Sequence, residues 1–274
     1  MVYEQEYELA KSIAEKVNKY ALREQQKVLK AEMKEDNSFA TEADIAAEKK
    51  IIKAIKKAFP NDHILAEETS DGDTIERNRL WIIDPIDGTH GFMAKEDEFC
   101  TIIGFVDNNE IQFAVVAQAA KKRITYAKKG EGCFCNQELL ETTRETDLRK
   151  VLVGTALWYY TKNNKLETGL QQLKRVLESC LDMRRYGAAG LDQYRVASGK
   201  EGAYYEFGLK PWDAVASILV TEAGGKVSNP DGTPLNLFER ENNKWCVNLL
   251  ASANKEVHEK IQEAINKQNI QEKA

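Results

Sequence analysis

Up to Phe59 the apolar residues recur at helical spacing, and beyond it they gather into short uninterrupted runs. Tyr3, Tyr7, Ala10, Ala14, Val17 and Ala21 share one face of a helix spanning about Tyr3 to Leu29. The polar stretch 30–40 breaks that pattern. Thr41-Glu42-Ala43-Asp44 has the form of a capping box. It opens a second helix striped by Ile45, Ile51, Ile52, Ile55 and Phe59, and Pro60-Asn61 ends it.

Strands dominate the next region. His63-Ile64-Leu65-Ala66 is a strand that runs into Glu67-Glu68, and Ser70-Asp71-Gly72-Asp73 reads as loop. Leu80-Trp81-Ile82-Ile83 has the length of a fully buried strand and is expected to end at Asp84. Strands are expected over 101–106, 111–117 and 123–127, with Asp107-Asn108-Asn109 as hairpin turn chemistry. The second half alternates less evenly. Strands are read at 151–155, 183–186, 203–206 and 245–251, and helices at 163–180, from Gly187-Ala188-Ala189-Gly190 through Ala197, at 212–223 and at 254–267. Gly224-Gly225 closes the third of these helices. The class is therefore mixed α and β in layers. No repeat, low-complexity tract or linker divides the chain, so a single domain over 1–274 is expected, with halves meeting near 145–146.

Composition narrows the functions. The chain has 274 residues, of which 42% are hydrophobic and 30% charged, ordinary values for a folded globular protein. With 39 basic and 44 acidic residues the net charge is −5, which gives no footprint for nucleic acid. No apolar run approaches the ~20 residues that span a bilayer, so no membrane helix is expected. The acidic, mixed start lacks the basic and apolar regions of a secretory leader. Five cysteines (100, 133, 135, 180, 246), odd in number and scattered, favour a reducing, cytoplasmic setting over a disulfide framework. The three histidines (63, 90, 258) are dispersed and form no zinc pattern.

The informative chemistry is acidic. In Trp81-Ile82-Ile83-Asp84-Pro85-Ile86-Asp87-Gly88-Thr89 an apolar strand delivers two carboxylates three residues apart. Like charges so close raise each other's pKa and cost energy. A hard divalent cation such as Mg²⁺ removes that cost, and it shares its remaining positions with water and phosphate oxygens. The backbone amides of Gly88 and Thr89 could receive an anion. An Asx turn with helix capping would also use two aspartates here. Glu67-Glu68 could equally be a solvated loop start, and Asp213, in Lys210-Pro211-Trp212-Asp213, an ordinary helix cap.

Taken together these segments resemble the inositol monophosphatase family of Mg²⁺-dependent, lithium-sensitive phosphomonoesterases, over nearly the whole length. Trp81–Thr89 is similar to its signature W-x-x-D-P-[IL]-D-G-T. Trp212-Asp213-Ala214-Val215-Ala216 with Glu222-Ala223-Gly224-Gly225 is similar to W-D-x-x-A…E-A-G-G. Ala66-Glu67-Glu68 resembles G-E-E, Thr41–Asp44 resembles T-x-x-D, and Lys129–Asn136 resembles the K-G-x-G-A-F-x-N hairpin. The resemblance implies a five-layer αβαβα sandwich of the sugar-phosphatase type and a homodimer. It implies that Glu67, Asp84 and the Ile86 carbonyl hold one metal, that Asp84, Asp87 and Asp213 hold a second, and that a weaker third lies near Glu67. Two metals about 4 Å apart suit attack of water on a phosphate dianion. Gly88 and Thr89 would bind phosphate. Thr89, paired with Asp44, would orient or deprotonate the attacking water. Gly187, Ala189 and Glu206 would face the polyol of the substrate.

The loop after the signature, His90-Gly91-Phe92 and then Met93–Phe99, resembles the branch that removes the 3′-phosphate of adenosine 3′,5′-bisphosphate. Arg185–Asp192 and Tyr204–Asp213 resemble bacterial inositol-phosphatase-type sequences instead. Glu206 suits a polyol hydroxyl or a cationic amine, as in histidinol phosphate. The substrate expected is myo-inositol 1-phosphate, with histidinol phosphate, adenosine 3′,5′-bisphosphate and fructose 1,6-bisphosphate as alternatives. A regulatory or binding protein on the same fold is the rival from another class.

Overall fold

The computed structural model describes residues 2–27, 31–33, 39–69 and 78–267, with side chains left aside at 31–33 and 39. The expected loop at Ser70–Asp73 lies outside the described residues. The N-terminal helix is Glu4–Glu24, and the polar break after it contains a small antiparallel ladder of Ala31–Met33 with Phe39–Thr41. The capping box is formed as the sequence implies. Thr41 is the N-cap of helix Glu42–Ala58, and its hydroxyl and amide are reciprocated by Asp44.

Seven strands make the larger sheet, in chain order from His63–Ala66 through Leu80–Asp87, Cys100–Asp107, Glu110–Gln118, Arg123–Lys128 and Gly132–Cys135 to Glu138–Leu139. The first pair is parallel and the rest antiparallel. Asn108 and Asn109, at φ 51° and 66°, close the two-residue hairpin expected there. The smaller sheet runs Asp182–Arg184, Leu152–Thr155, Ala203–Leu209, Val247–Ser252 and Lys226–Ser228. Its first three strands are parallel, so their C-terminal ends share one edge.

Strand Leu80–Asp87 is buried at all of its positions because both faces are covered. Trp81 and Ile83 pack outward with Tyr7, Ala14, Ile51 and Ile55 of the first two helices. Leu80 and Ile82 point the other way, into a core shared with Val215, Leu219, Leu249 and Ala251. Beyond the smaller sheet, Val176 of helix Leu166–Ser179 and Val257 and Ile261 of helix Lys255–Asn266 pack on Val153, Ala203 and Leu250. The order is helix, sheet, helix, sheet, helix: the five layers expected.

Several boundaries shift from the sequence reading: the first helix ends at Glu24, the strand expected at 203–206 runs to Leu209, and the strand expected at 245–251 is two, Lys244–Trp245 and Val247–Ser252. The strand expected to end at Asp84 continues to Asp87, with its pairing irregular between those two residues. Pro85 lies in that interval and has no N–H to donate to a ladder. The stretch 211–222 is helical but interrupted by a tighter 3-10 turn at Val215–Ser217. Short helices at Thr89–Met93 and Trp158–Lys162 and the strand Lys226–Ser228 carried no periodic signal.

Candidate active site

Asp84 and Asp87 reach the site from the end of one sheet strand, and Asp213 from helix Pro211–Ala214 across the middle layer. Each offers a carboxylate oxygen such that all three lie within 4.8 Å of one another. Asp84 and Asp87 are buried and Asp213 is half-buried. Asp84 Oδ1 is buried with no hydrogen-bond partner. Burial raises the pKa of Asp84 well above the usual carboxylate range, and the charges of Glu67, Asp87 and Asp213 add to it. Burial likewise raises Asp213, with Asp87 next, against the pull of a backbone hydrogen bond from Lys210. That bond runs from the Lys210 amide to Asp213 Oδ2 at 2.8 Å. Hard oxygen donors this close, one of them partnerless, fit a divalent cation such as Mg²⁺.

Asp87 is the best satisfied of the three. Its Oδ1 accepts from the Ala189 amide (3.0 Å), and its Oδ2 from the Gly190 amide (2.7 Å) and the Cys100 thiol (3.2 Å). The first turn of helix Ala189–Ala197 therefore docks on this carboxylate. Gly190 permits the approach, since a Cβ there would lie 2.8 Å from Ile102 Cδ1 and 3.1 Å from Cys100 Sγ. Burial raises Asp87 to about 6, and the donors from Gly190, Cys100 and Ala189 hold it down. Burial also keeps the Cys100 thiol protonated, so it donates.

Gly88 turns the chain away from the strand with φ 89°, and a Cβ there would lie 2.7 Å from the Glu98 carbonyl oxygen. Helix Thr89–Met93 follows. The Thr89 hydroxyl donates to the Ile86 carbonyl at 3.1 Å. Asp44 Oδ2 accepts from the Thr41 amide at 2.9 Å and from the Thr41 hydroxyl. No Thr89–Asp44 hydrogen bond is formed: Thr89 donates to Ile86, Thr41 takes only Asp44 Oδ2, and Asp44 Oδ1 is buried without a partner. Asp44 is buried, which raises it to about 6 against the Thr41 hydrogen bond, with the Glu67 charge adding to the rise. The Glu67 carboxylate thus acts on Asp44, Asp84, Asp87 and Asp213 alike.

On the other wall, Glu206 accepts from the Tyr204 hydroxyl at 2.5 Å. Burial raises Glu206 to about 7, the Tyr204 bond opposes this, and the charges of Asp87 and Arg185 act in opposite directions. Gly187, at φ 79°, is exposed just before helix Ala189–Ala197. Ala189, expected at the polyol, has its amide on Asp87. The acidic residue of Glu222-Ala223-Gly224-Gly225 is elsewhere: its carboxylate accepts from the Gly130 and Gly132 amides, 2.9 Å each, and fixes the Lys129–Gly132 turn. Cys100, Tyr204 and the Lys210 amide were not foreseen. A single cysteine carries no pattern, and backbone donors are invisible in a sequence.

The profile of the Inositol monophosphatase family matches residues 1–269. Inositol monophosphatase 2 of Rattus norvegicus is 36% identical over 203 residues, 72% of this chain and 70% of that protein. Among solved structures, a Thermotoga maritima IMPase superposes with a TM-score of 0.83 at 27% identity, covering 96% of this chain and 97% of that one. An SaIMPase-II with inositol monophosphate bound gives 0.78 at 25% identity, covering 94% and 92%. The chain belongs to the inositol monophosphatase family and is a phosphoric monoester hydrolase. Among the described residues no helix is long and apolar enough to cross a membrane.

Proposed function

We propose that the chain is a Mg²⁺-dependent phosphomonoesterase of small polyol phosphates, with myo-inositol 1-phosphate the first substrate. The observation that carries this is the meeting of Asp84, Asp87 and Asp213 within 4.8 Å, with one oxygen buried and unpaired. Glu67, Asp84 and the Ile86 carbonyl would hold one cation, Asp84, Asp87 and Asp213 another, and Glu67 would lie beside a weaker third. Divalent cations in such a cage neutralise phosphate charge and activate water. The chain's own residues position and screen. The Gly88 and Thr89 amides would take the phosphate, and Gly187, Ala189 and Glu206 would face the leaving alcohol. Asp44, raised to about 6 by burial, is suited to receive a proton near neutral pH. A second reading, 3′-phosphate removal from adenosine 3′,5′-bisphosphate, is favoured by one feature. The His90 ring lies 5.5 Å from that of Trp158, with Lys162 Nζ 4.2 Å from the same indole, a setting for a planar anionic leaving group. Lithium sensitivity, a homodimer and a cytoplasmic setting belong to the same proposal. The five free cysteines agree with that setting.

Phosphate release from the four candidate substrates, with and without EDTA and Li⁺, tests this reading. Inositol 1-phosphate is expected to be cleaved fastest, with EDTA abolishing release and added Mg²⁺ restoring it. Asp87→Asn is expected to lose roughly 10³-fold or more in turnover while staying folded. Near-normal turnover in that variant, or in metal-stripped protein, would overturn the assignment. If a cellular phenotype survives Asp213→Asn, a regulatory role is the better account.

A further inference from the structure

In a regular strand, side chains three residues apart point to opposite faces. Asp84 and Asp87 are three apart on strand Leu80–Asp87, yet both reach one cluster. The pairing accounts for this. Asp84 lies opposite Ile102 and Asp87 opposite Cys100, so the strand takes one residue more than its neighbour over this interval. The extra residue is a bulge, and it returns Asp87 to the face of Asp84. A bulge also takes backbone groups out of the ladder, and a buried carbonyl left without a donor is costly. At this bulge the Thr101 hydroxyl donates to the Pro85 carbonyl at 2.8 Å. The same hydroxyl accepts from Asn18 Nδ2 of the N-terminal helix at 3.1 Å, and Asn18 Oδ1 accepts from the Ala119 amide. Asn18 and Thr101 are both fully buried. Cys100, one residue earlier, faces the other side of the sheet, where its thiol donates to Asp87 Oδ2 at 3.2 Å.

We propose that Cys100 and Thr101 are positioning residues for the cation site. Consecutive on strand Cys100–Asp107, they clamp the bulge from its two faces and hold Asp84 and Asp87 in the arrangement that lets them share an ion. This rests on the cation reading above and adds what keeps its ligands in place. Without the Thr101 hydroxyl, the Pro85 carbonyl and Asn18 Nδ2 both lose this bond. Nothing then opposes a slip of the bulge, and a one-residue slip turns a side chain to the other face. Without the Cys100 thiol, Asp87 Oδ2 keeps the Gly190 amide as its donor, and the carboxylate is less fixed in rotation. Removing a partner that orients a metal ligand typically costs about 10–100-fold in metal affinity. The Ala189 and Gly190 amides remain on Asp87 when the thiol is lost, which puts Cys100 at the low end of that range.

Calorimetric titration of the EDTA-treated full chain with Mg²⁺ reads the effect without turnover. Thr101→Val and Cys100→Ala are each expected to raise Kd roughly tenfold. Thr101→Ser keeps the hydroxyl and Cys100→Ser keeps a donor, so both are expected to stay within about threefold of wild type. Phosphate release by the valine and alanine variants is expected to need correspondingly more Mg²⁺. Circular dichroism and melting in EDTA report that each variant is folded. A packing role alone would lower the melting temperature and leave Kd where it was. An unchanged Kd in Thr101→Val or in Cys100→Ala overturns the role of that residue, and so does a serine variant that loses as much affinity as its apolar counterpart. A wild-type chain that binds no Mg²⁺ would overturn the cation reading and the clamp with it. Binding that follows the expected order, with no phosphate released by any sample, would instead sink the phosphatase reading and leave the clamp standing.

Discussion

Asp84, Asp87 and Asp213 were legible as residues because their chemistry is stated by type and spacing: carboxylates, a proline, a glycine, an apolar run. Their partners were not. Nothing in the sequence says that Cys100 donates to Asp87, or that Thr41 bonds one oxygen of Asp44 and leaves the other without a partner. Such choices depend on which donor is nearer in space. Glu201 is a further example. It is 1% exposed, both its oxygens lack partners, and Arg195 Nε stands 4.0 Å away. Burial raises it to about 7, against the pull of Arg195 and Arg184. An acid whose folded pKa lies above its unfolded one binds more protons when folded. Its stability contribution therefore falls as pH rises from about 4.5 to about 7. Glu201→Gln removes that penalty and still buries an amide. At pH 8 it is expected to gain about 1–3 kcal/mol over wild type, and at pH 4 nothing. Urea titrations at the two pH values read the difference. Equal stabilities at pH 8 would mean that the buried carboxyl is solvated by something the packing does not reveal.

Elements followed the hydrophobic pattern where one pattern had one outcome. The alternation and turn signals of 100–128 gave three strands near their true bounds, since a two-residue Asn-Asn loop fixes register. Around Pro85 the pattern misled, because the strand carries polar side chains past its apolar run to the edge where the three carboxylates meet. Within 211–222 it missed the 3-10 turn, which depends on the opposite sheet. Val215, in that turn, lies so near Gly104 of strand Cys100–Asp107 that an added Cβ would be 2.3 Å from Val215 Cγ2. Overpacking of this kind costs typically 1–3 kcal/mol. Gly104→Ala is expected to destabilise by about 2 kcal/mol. Adding Val215→Ala should return part of that loss, a non-additivity that a double-mutant cycle measures. Strictly additive losses would show that the helix shifts away and the contact is not tight.

At the scale of the whole molecule, the layers explain why acids far apart in sequence can be forced together. The strand end bearing Asp84 and Asp87 and the helix bearing Asp213 are each fixed by their own packing, in a core they share. Folding therefore brings the negative groups together, and the cost appears as raised carboxylate pKa values. A cation that binds only the assembled cluster adds stability in proportion to the logarithm of its concentration over Kd, roughly 2.7 kcal/mol at a hundredfold excess. Protons compete for the same oxygens, so the gain shrinks as pH falls toward the value of about 6 at which Asp87 titrates. The EDTA-treated chain is expected to melt several degrees higher once millimolar Mg²⁺ is added at pH 8, and by clearly less at pH 5.5. Asp84→Asn with Asp213→Asn should raise the metal-free melting temperature, by removing like charges, and abolish the Mg²⁺ response. A Mg²⁺ shift that survives both substitutions would place the stabilising cation elsewhere, and the carboxylates would then be held together by packing for some purpose other than metal.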